Sequence, residues 1–252
     1  MTTAPMAPGR GHPRSASLRQ PGYWWYRARS GLLRVALADF VGTPTRVLDV
    51  GSADGPSVGW LRGDHQHVTL DVSAQGLVPG EGVCGSVLAL PFDDATFEVV
   101  GAFDVLEHCE PESQAMRELV RVLSPGGRLL LSVPAYQWAW TNHDVQAGHH
   151  RRYTRGRLLR TVRDAGLVPR RSTYAFTFVF PLFVAERVLR LVNQARGRRQ
   201  GQRLTPVPAT LERLLMLLCS IDARLLAGRD LPFGSSVLVA AVKAEPGTLR
   251  TA

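Results

Sequence analysis

The chain has 252 residues, enough for one large α/β domain, and 45% of them are hydrophobic, an ordinary share for a globular protein with its own core. Three widely spaced cysteines, Cys84, Cys109 and Cys219, exclude a disulfide framework or a zinc ribbon; they read as small buried apolar residues in a reducing, cytoplasmic compartment. The net charge of +9 hides an acidic centre between basic ends: 4 arginines meet 14 acids over residues 47–150, whereas residues 1–46 hold 7 arginines against one acid and residues 151–252 hold 19 basic residues against 6 acids. A GC-rich genome accounts for the excess of arginine over lysine, and basic ends also suit a phosphate-bearing substrate, a membrane surface or nucleic acid.

Residues 1–20 are rich in proline, glycine and serine and read as a disordered tail, with 21–252 as a single domain. Helical spacing of apolar residues predicts a helix over Tyr23–Val41. Strands follow at Arg46–Val50, His67–Asp71 and near Gly82–Gly85, and a continuous apolar strand at Phe97–Phe103. Pro56 suits the first turn of a helix after the first strand. An amphipathic helix over Pro111–Leu123 stops at Ser124-Pro125-Gly126-Gly127, and Arg128–Val133 returns as a strand. Arg155–Ala165 is a helix closed by Gly166. Further strands are expected at Arg171–Phe178 and Ser235–Val242. Between them, 179–234 reads as a helical insertion, with helices over 182–196 and 211–227 and an arginine–glycine–glutamine linker at 197–203. Alternating strands and helices predict an α/β fold with a doubly wound sheet.

Ligands of such a sheet bind at the carboxyl ends of its strands. The first strand ends in Asp49-Val50-Gly51-Ser52-Ala53-Asp54-Gly55-Pro56. Proline stands where a nicotinamide fingerprint needs its third glycine, so the acid and the short glycine turn point to S-adenosylmethionine (SAM) instead. The second strand ends in Asp71, whose carboxylate can accept both ribose hydroxyls. Beyond the third, Ser86, Val87 and Leu88 can flank an adenine.

Leu90-Pro91-Phe92-Asp93-Asp94-Ala95-Thr96-Phe97-Glu98-Val99-Val100, Asp104-Val105-Leu106-Glu107-His108 and Leu123-Ser124-Pro125-Gly126-Gly127 closely resemble the class I SAM-dependent methyltransferases, in the ubiquinone/menaquinone-biosynthesis-type branch. Tyr23-Trp24-Trp25-Tyr26-Arg27-Ala28-Arg29 and Gly148-His149-His150-Arg151-Arg152-Tyr153-Thr154 resemble a bacterial subgroup of unassigned methyltransferases. The resemblance covers about 22–178 and the final strand. It implies a Rossmann-like seven-stranded sheet, mostly parallel, with an antiparallel last strand. It also implies Asp49, Gly51, Ser52 and Ala53 on the methionine half of SAM, Asp71 and Val72 on the ribose, Ser86 and Val87 on adenine, and the Phe103 carbonyl beside the methionine amino group. Trp24, Trp25, Arg27 and Arg29 would form a lid, with an arginine such as Arg29 near the carboxylate. Ala53, Asp54 and Ser86 depart from the residues usual in the family.

The sulfonium methyl is electrophilic, so the protein must hold a nucleophile in line with it and, for an alcohol, take a proton. Glu107 and His108 follow the fourth strand. Trp138-Ala139-Trp140-Thr141-Asn142-His143-Asp144 runs into His149-His150-Arg151-Arg152-Tyr153 after the fifth. His143 is the first candidate base, with His108 and Glu107 next. Trp25, Trp138, His149, Arg152 and Tyr153 are candidate substrate contacts, the arginines and Tyr153 as a clamp for phosphate or carboxylate. The histidine and acid spacing matches no metal motif, and none is expected.

Over 176–199, phenylalanines and leucines alternate with Arg187, Arg190 and Arg196. This suits either a pocket cover or peripheral contact with the inner face of a membrane, and hence a small-molecule or lipid-linked acceptor methylated at oxygen. The fourth strand is followed by Phe103-Asp104-Val105-Leu106 rather than the Asn/Asp-Pro-Pro-aromatic run of many base-modifying methyltransferases, which disfavours nucleic acid and an RNA methyltransferase. A catalytically inactive SAM-binding partner protein in a biosynthetic complex is the reading from a different class.

Overall fold

The computed structural model describes residues 22–51, 59–74, 77, 82–196 and 207–245. The expected tail, Ser52 to Pro56 and the 197–203 linker lie outside the described residues. Seven strands form one sheet: β1 (Arg46–Val50), β2 (Gln66–Asp71), β3 (Gly82–Cys84), β4 (Phe97–Phe103), β5 (Leu123–Pro134), β6 (Leu167–Ala175) and β7 (Ser236–Lys243). Their order is β3-β2-β1-β4-β5-β7-β6. The first five strands run parallel, and β7 lies antiparallel between β5 and β6. This is the Rossmann-like arrangement with an antiparallel last strand that the resemblance implies.

The central strands are apolar throughout because helices cover both faces. Val47, Leu48, Asp49 and Val50 of β1 are all buried, and β4 is buried almost along its length. On one face, α2 (Glu112–Val122) presents Ala115, Met116, Leu119 and Val122, and α4 (Arg155–Asp164) presents Leu158 and Val162. On the other, α1 (Trp24–Leu37) packs Leu32, Leu33 and Leu37 beside α6 (Ala209–Leu226), whose Leu215, Cys219 and Leu226 join the same core. The helical segment before β7 is thus partly a layer of the fold. Its other helix, α5 (Phe180–Ala195), leaves Leu182, Val188 and Leu189 exposed. Asp222 ties α6 to the sheet: its carboxylate accepts the backbone N–H of Thr177 at 2.7 Å and of Phe178 at 3.3 Å, just past β6.

Three sequence expectations need correction. β5 starts at Leu123 rather than Arg128, because Leu123 already pairs with Phe97 before the register shifts to Val99 opposite Arg128. Ser124–Gly127 is therefore an irregularity inside the strand, with Gly126 at φ 72°. β6 spans Leu167–Ala175 rather than 171–178. Pro169 lies opposite Ala241 and Arg171 opposite Ala240, so an extra residue bulges between them, and the sheet edge tolerates the proline. The strand ends where Phe176 turns to φ 65°. Finally, the 138–153 stretch is not all loop: Thr141 caps a short helix, α3 (Asn142–Ala147). The Thr141 hydroxyl accepts the His143 N–H, and Asp144 accepts the Thr141 N–H at 2.8 Å. Cys109 and Cys219 are buried as expected, but Cys84, on the edge strand β3, is exposed.

Candidate active site

The carboxyl ends of β1, β2, β4 and β5 meet at one rim of the sheet. Asp49 and Asp71 are both buried, on adjacent parallel strands. The Asp71 Oδ1 accepts the Ser73 N–H at 2.8 Å, while its backbone carbonyl accepts the Gly85 N–H. Gly51 holds φ 75°, and its N–H reaches the Leu70 carbonyl at 2.7 Å. A Cβ there would lie 2.6 Å from Val105 Cγ2, so only glycine brings the β1 turn this close to the segment after β4. Ser52 and Ala53 lie outside the described residues. Val72, next to Asp71, is exposed. Ser86 folds into a turn in which its hydroxyl accepts the Leu88 N–H at 3.2 Å, and Val87 is buried. Phe103 is buried at the end of β4, tilted against Trp60.

Arg29 reaches this rim from α1 and is 4% exposed. One of its nitrogens, Nη2, pairs with Asp104 at 2.9 Å and donates to the Ser132 hydroxyl at 3.3 Å. Ser132 in turn donates to Asp104 at 2.8 Å. The other, Nη1, is buried with no hydrogen-bond partner among the described residues, leaving a cationic donor for an anionic ligand. A small cavity opens beside it, lined by Leu32, Ser132, Phe176 and Ser236. Sequence reasoning passed over Asp104 and Ser132; an acid directly after a buried strand was the available signal.

A second group sits just past β4. Glu107 is buried, and burial, reinforced by nearby Asp104, pushes its carboxyl well above the usual range. Its Oε2 has no hydrogen-bond partner among the described residues. The His108 and His149 rings meet edge to face at 4.6 Å. Asp144, fully buried, binds His149 Nδ1 at 3.0 Å and Arg152 Nη2 at 2.6 Å. Burial works against the Asp144 carboxylate, but the bonds from His149 and Arg152 outweigh it and hold it ionised well below the usual range. The structure thus brings His108, Glu107 and His149 together. It sets His143 apart, facing Arg187 and Arg190 of α5; burial, then Arg187, lowers its pKa to about 4.

Arg152 differs most from the expected substrate clamp. It is buried, its Nε and Nη2 engage Asp144, and its Nη1 donates to the Ala135 carbonyl at 3.2 Å. It holds the α3 loop against β5. Arg151 is likewise committed to Glu110 and Glu112. Tyr153 is wholly buried, with the Arg157 guanidinium 5.0 Å above its ring. Trp138 is half exposed and joins an aromatic wall: Tyr136 stacks on it at 5.7 Å and on Tyr174 at 5.6 Å, with Phe180 and Phe183 beside it. Trp25 stacks on Phe176 at 6.0 Å. Asp104, Tyr136 and Phe176, within two residues of the ends of β4, β5 and β6, all hold positive φ (58°, 62° and 65°). Backbone strain is therefore concentrated along this rim.

Residues 48–131, the segment carrying β1 to β5, match the methyltransferase domain family. That segment carries a methyltransferase domain. The chain is 36% identical over 120 residues to the malonyl-[acyl-carrier protein] O-methyltransferase of Erwinia billingiae, a match covering 42% of this chain and 48% of that protein. It is 32% identical over 121 residues to the demethylmenaquinone methyltransferase of Mycobacterium bovis, covering 46% and 49%. The matches thus span about half the length of these curated relatives. Among solved structures, a geranyl diphosphate methyltransferase in complex with SAM is similar in fold across 93% of each chain, at a TM-score of 0.57 and 16% identity. The matched segment contains Asp49 and the Gly51 turn at the end of β1 and Asp71 at the end of β2.

Proposed function

We propose that the protein transfers a methyl group from SAM to an oxygen of a small-molecule or lipid-linked acceptor. The observation that carries this reading is the convergence at one rim of the Gly51 turn and the buried Asp49 and Asp71, all within the segment that matches the family, with the half-satisfied Arg29 from α1. The residues fit the ligand: the unpartnered Arg29 Nη1 suits the methionine carboxylate, Asp71 beside exposed Val72 suits the ribose, and Val87 with Ser86 suits the adenine. Ser52 and Ala53 complete the expected set.

Bound SAM supplies an electrophilic methyl on a sulfonium. The chain's own part is to orient the acceptor, exclude water and receive a proton. The Glu107–His108–His149 cluster is placed for the proton, with Asp144 fixing the His149 ring. His143 is the reserve candidate on the α5 side. Trp25 and Trp138, with Tyr136, wall the acceptor, and Arg152 and Tyr153 support the loop that carries His149. The deciding experiment incubates purified protein with SAM and candidate acceptors, malonyl thioesters and hydroquinones among them, and follows S-adenosylhomocysteine. Turnover with an oxygen acceptor is expected. SAM binding without turnover across the panel would favour a non-catalytic SAM-binding partner protein; turnover confined to RNA would overturn the acceptor class.

A lipid-linked acceptor is favoured by α5. Its Leu182, Val188, Leu189, Leu191 and Val192 are exposed, an apolar face adjoining the aromatic wall, while Arg187 turns inward to the Thr141 hydroxyl and Arg190 pairs with Glu186. No helix among the described residues is long and apolar enough to cross a membrane; the contact proposed is peripheral, at the inner face. Flotation with anionic vesicles is expected to carry the protein upward; none afloat would confine the acceptor to soluble molecules.

A further inference from the structure

We infer that Glu107, His108 and His149 form a binding site for a divalent transition-metal ion of the zinc class. One carboxylate oxygen and one ring nitrogen from each histidine lie within 4.8 Å of one another. Ligands of one ion, each about 2.1 Å from it, stand at most about 4.2 Å apart, so small side-chain rotations complete the shell.

The surroundings are those of ligands rather than of a packed polar cluster. Metal-bound histidines generally give their second ring nitrogen to a carboxylate or a carbonyl, which fixes the tautomer and aims the lone pair. His149 here does so. His149 Nδ1 bonds to Asp144 at 3.0 Å; an ionised carboxylate only accepts, so Nδ1 is the donor and Nε2 is the nitrogen left to turn toward an ion. The His108 ring lies edge to face against the His149 ring at 4.6 Å. Asp144 is itself anchored by Arg152 and the Thr141 N–H, so the His149 ring is held rigidly. Glu107 is 1% exposed, yet its Oε2 lacks a partner among the described residues. Two imidazoles and a carboxylate are a donor set suited to Zn²⁺, and three protein ligands leave a position open. His108 is exposed, so that position faces outward rather than into the core.

The consequence for catalysis rests on the methyl transfer proposed above, the cluster then acting through the bound ion instead of receiving the proton itself; the binding does not. An acceptor hydroxyl in the open position loses its proton to solvent more readily. The oxygen then bonds to the methyl carbon as the carbon–sulfur bond breaks, giving the methylated acceptor, S-adenosylhomocysteine and one proton.

Full-length protein stripped with a chelator would be titrated with Zn²⁺ by calorimetry and with Co²⁺ by visible absorption, and with SAM in parallel. One ion per chain is expected. His108→Ala, His149→Ala and Glu107→Gln should each weaken binding by at least about 100-fold, and Asp144→Asn by about 10–100-fold. His150→Ala, beside the cluster, should bind as the unaltered protein does. No stoichiometric binding, or binding kept by the His108→Ala/His149→Ala double variant, would overturn the site. Should that double variant fail to fold, anomalous scattering from a Zn²⁺-soaked crystal of the unaltered protein decides: a peak between the three side chains supports the site, and its absence refutes it. SAM binding without metal binding sinks only this inference; metal binding without SAM binding sinks the cofactor reading instead.

Discussion

At Gly51 the φ of 75° and a Cβ position 2.6 Å from Val105 act together. Gly51→Ala should destabilise the fold by about 1–2 kcal/mol from the backbone alone, with the clash in addition. Pairing it with Val105→Ala should restore only the clash part, as chemical denaturation would reveal. Asp71 carries a separable role. Asp71→Ala should weaken SAM binding by about 1–3 kcal/mol, the cost of leaving buried hydroxyls unmatched, and calorimetry reads this directly. An unchanged SAM affinity would move the ribose elsewhere. These two residues were legible in the sequence because a glycine and an acid at strand ends have few other reasons to occur together. Asp144 was not. An acid in a histidine- and arginine-rich stretch looks solvated, and only the folded loop reveals it as the buried anchor of His149 and Arg152.

Among the elements, α6 repays attention through Asp222. Burial lifts its carboxyl from 3.8 to about 6 despite backbone N–H groups of the 176–178 segment donating to it. A carboxyl raised in the folded state favours folding fully below its unfolded pKa and loses that contribution as pH rises through its folded one. The stability of Asp222→Asn relative to the unaltered protein should therefore improve as pH goes from about 4 to about 6 and level off above. Thermal unfolding across that range checks it; a flat difference would mean the carboxyl is not perturbed. The strands were readable to within a residue or two where burial on both faces makes them continuous apolar runs, as at β1 and β4. They were misplaced where irregularity intervenes. The Ser124–Gly127 bulge looked like a turn ending a helix, and β6, bulged between Pro169 and Arg171, was expected only from Arg171. Helix α3 escaped notice because six residues with polar caps carry too little apolar periodicity to register.

For the molecule as a whole, fold class and the proposed cofactor rim followed from local patterns, whereas the meeting of Glu107, His108 and His149 did not. Glu107 and His108 follow β4, and His149 arrives only after β5 and α3, so their meeting is a property of the assembled sheet. The same topology dictates the sequence of assembly. Among the described residues, β6 touches the rest of the sheet through β7 alone, and β7 is the last strand. During synthesis the 167–175 segment thus waits with an unmet edge while some sixty residues follow it, and the aromatic wall it supports cannot form before the closing strand docks. A version truncated before Ser236 should emerge aggregation-prone rather than merely weakened, with β5 and β6 both uncapped; supplying residues 236–243 as a separate peptide should rescue solubility, which a sedimentation assay would register.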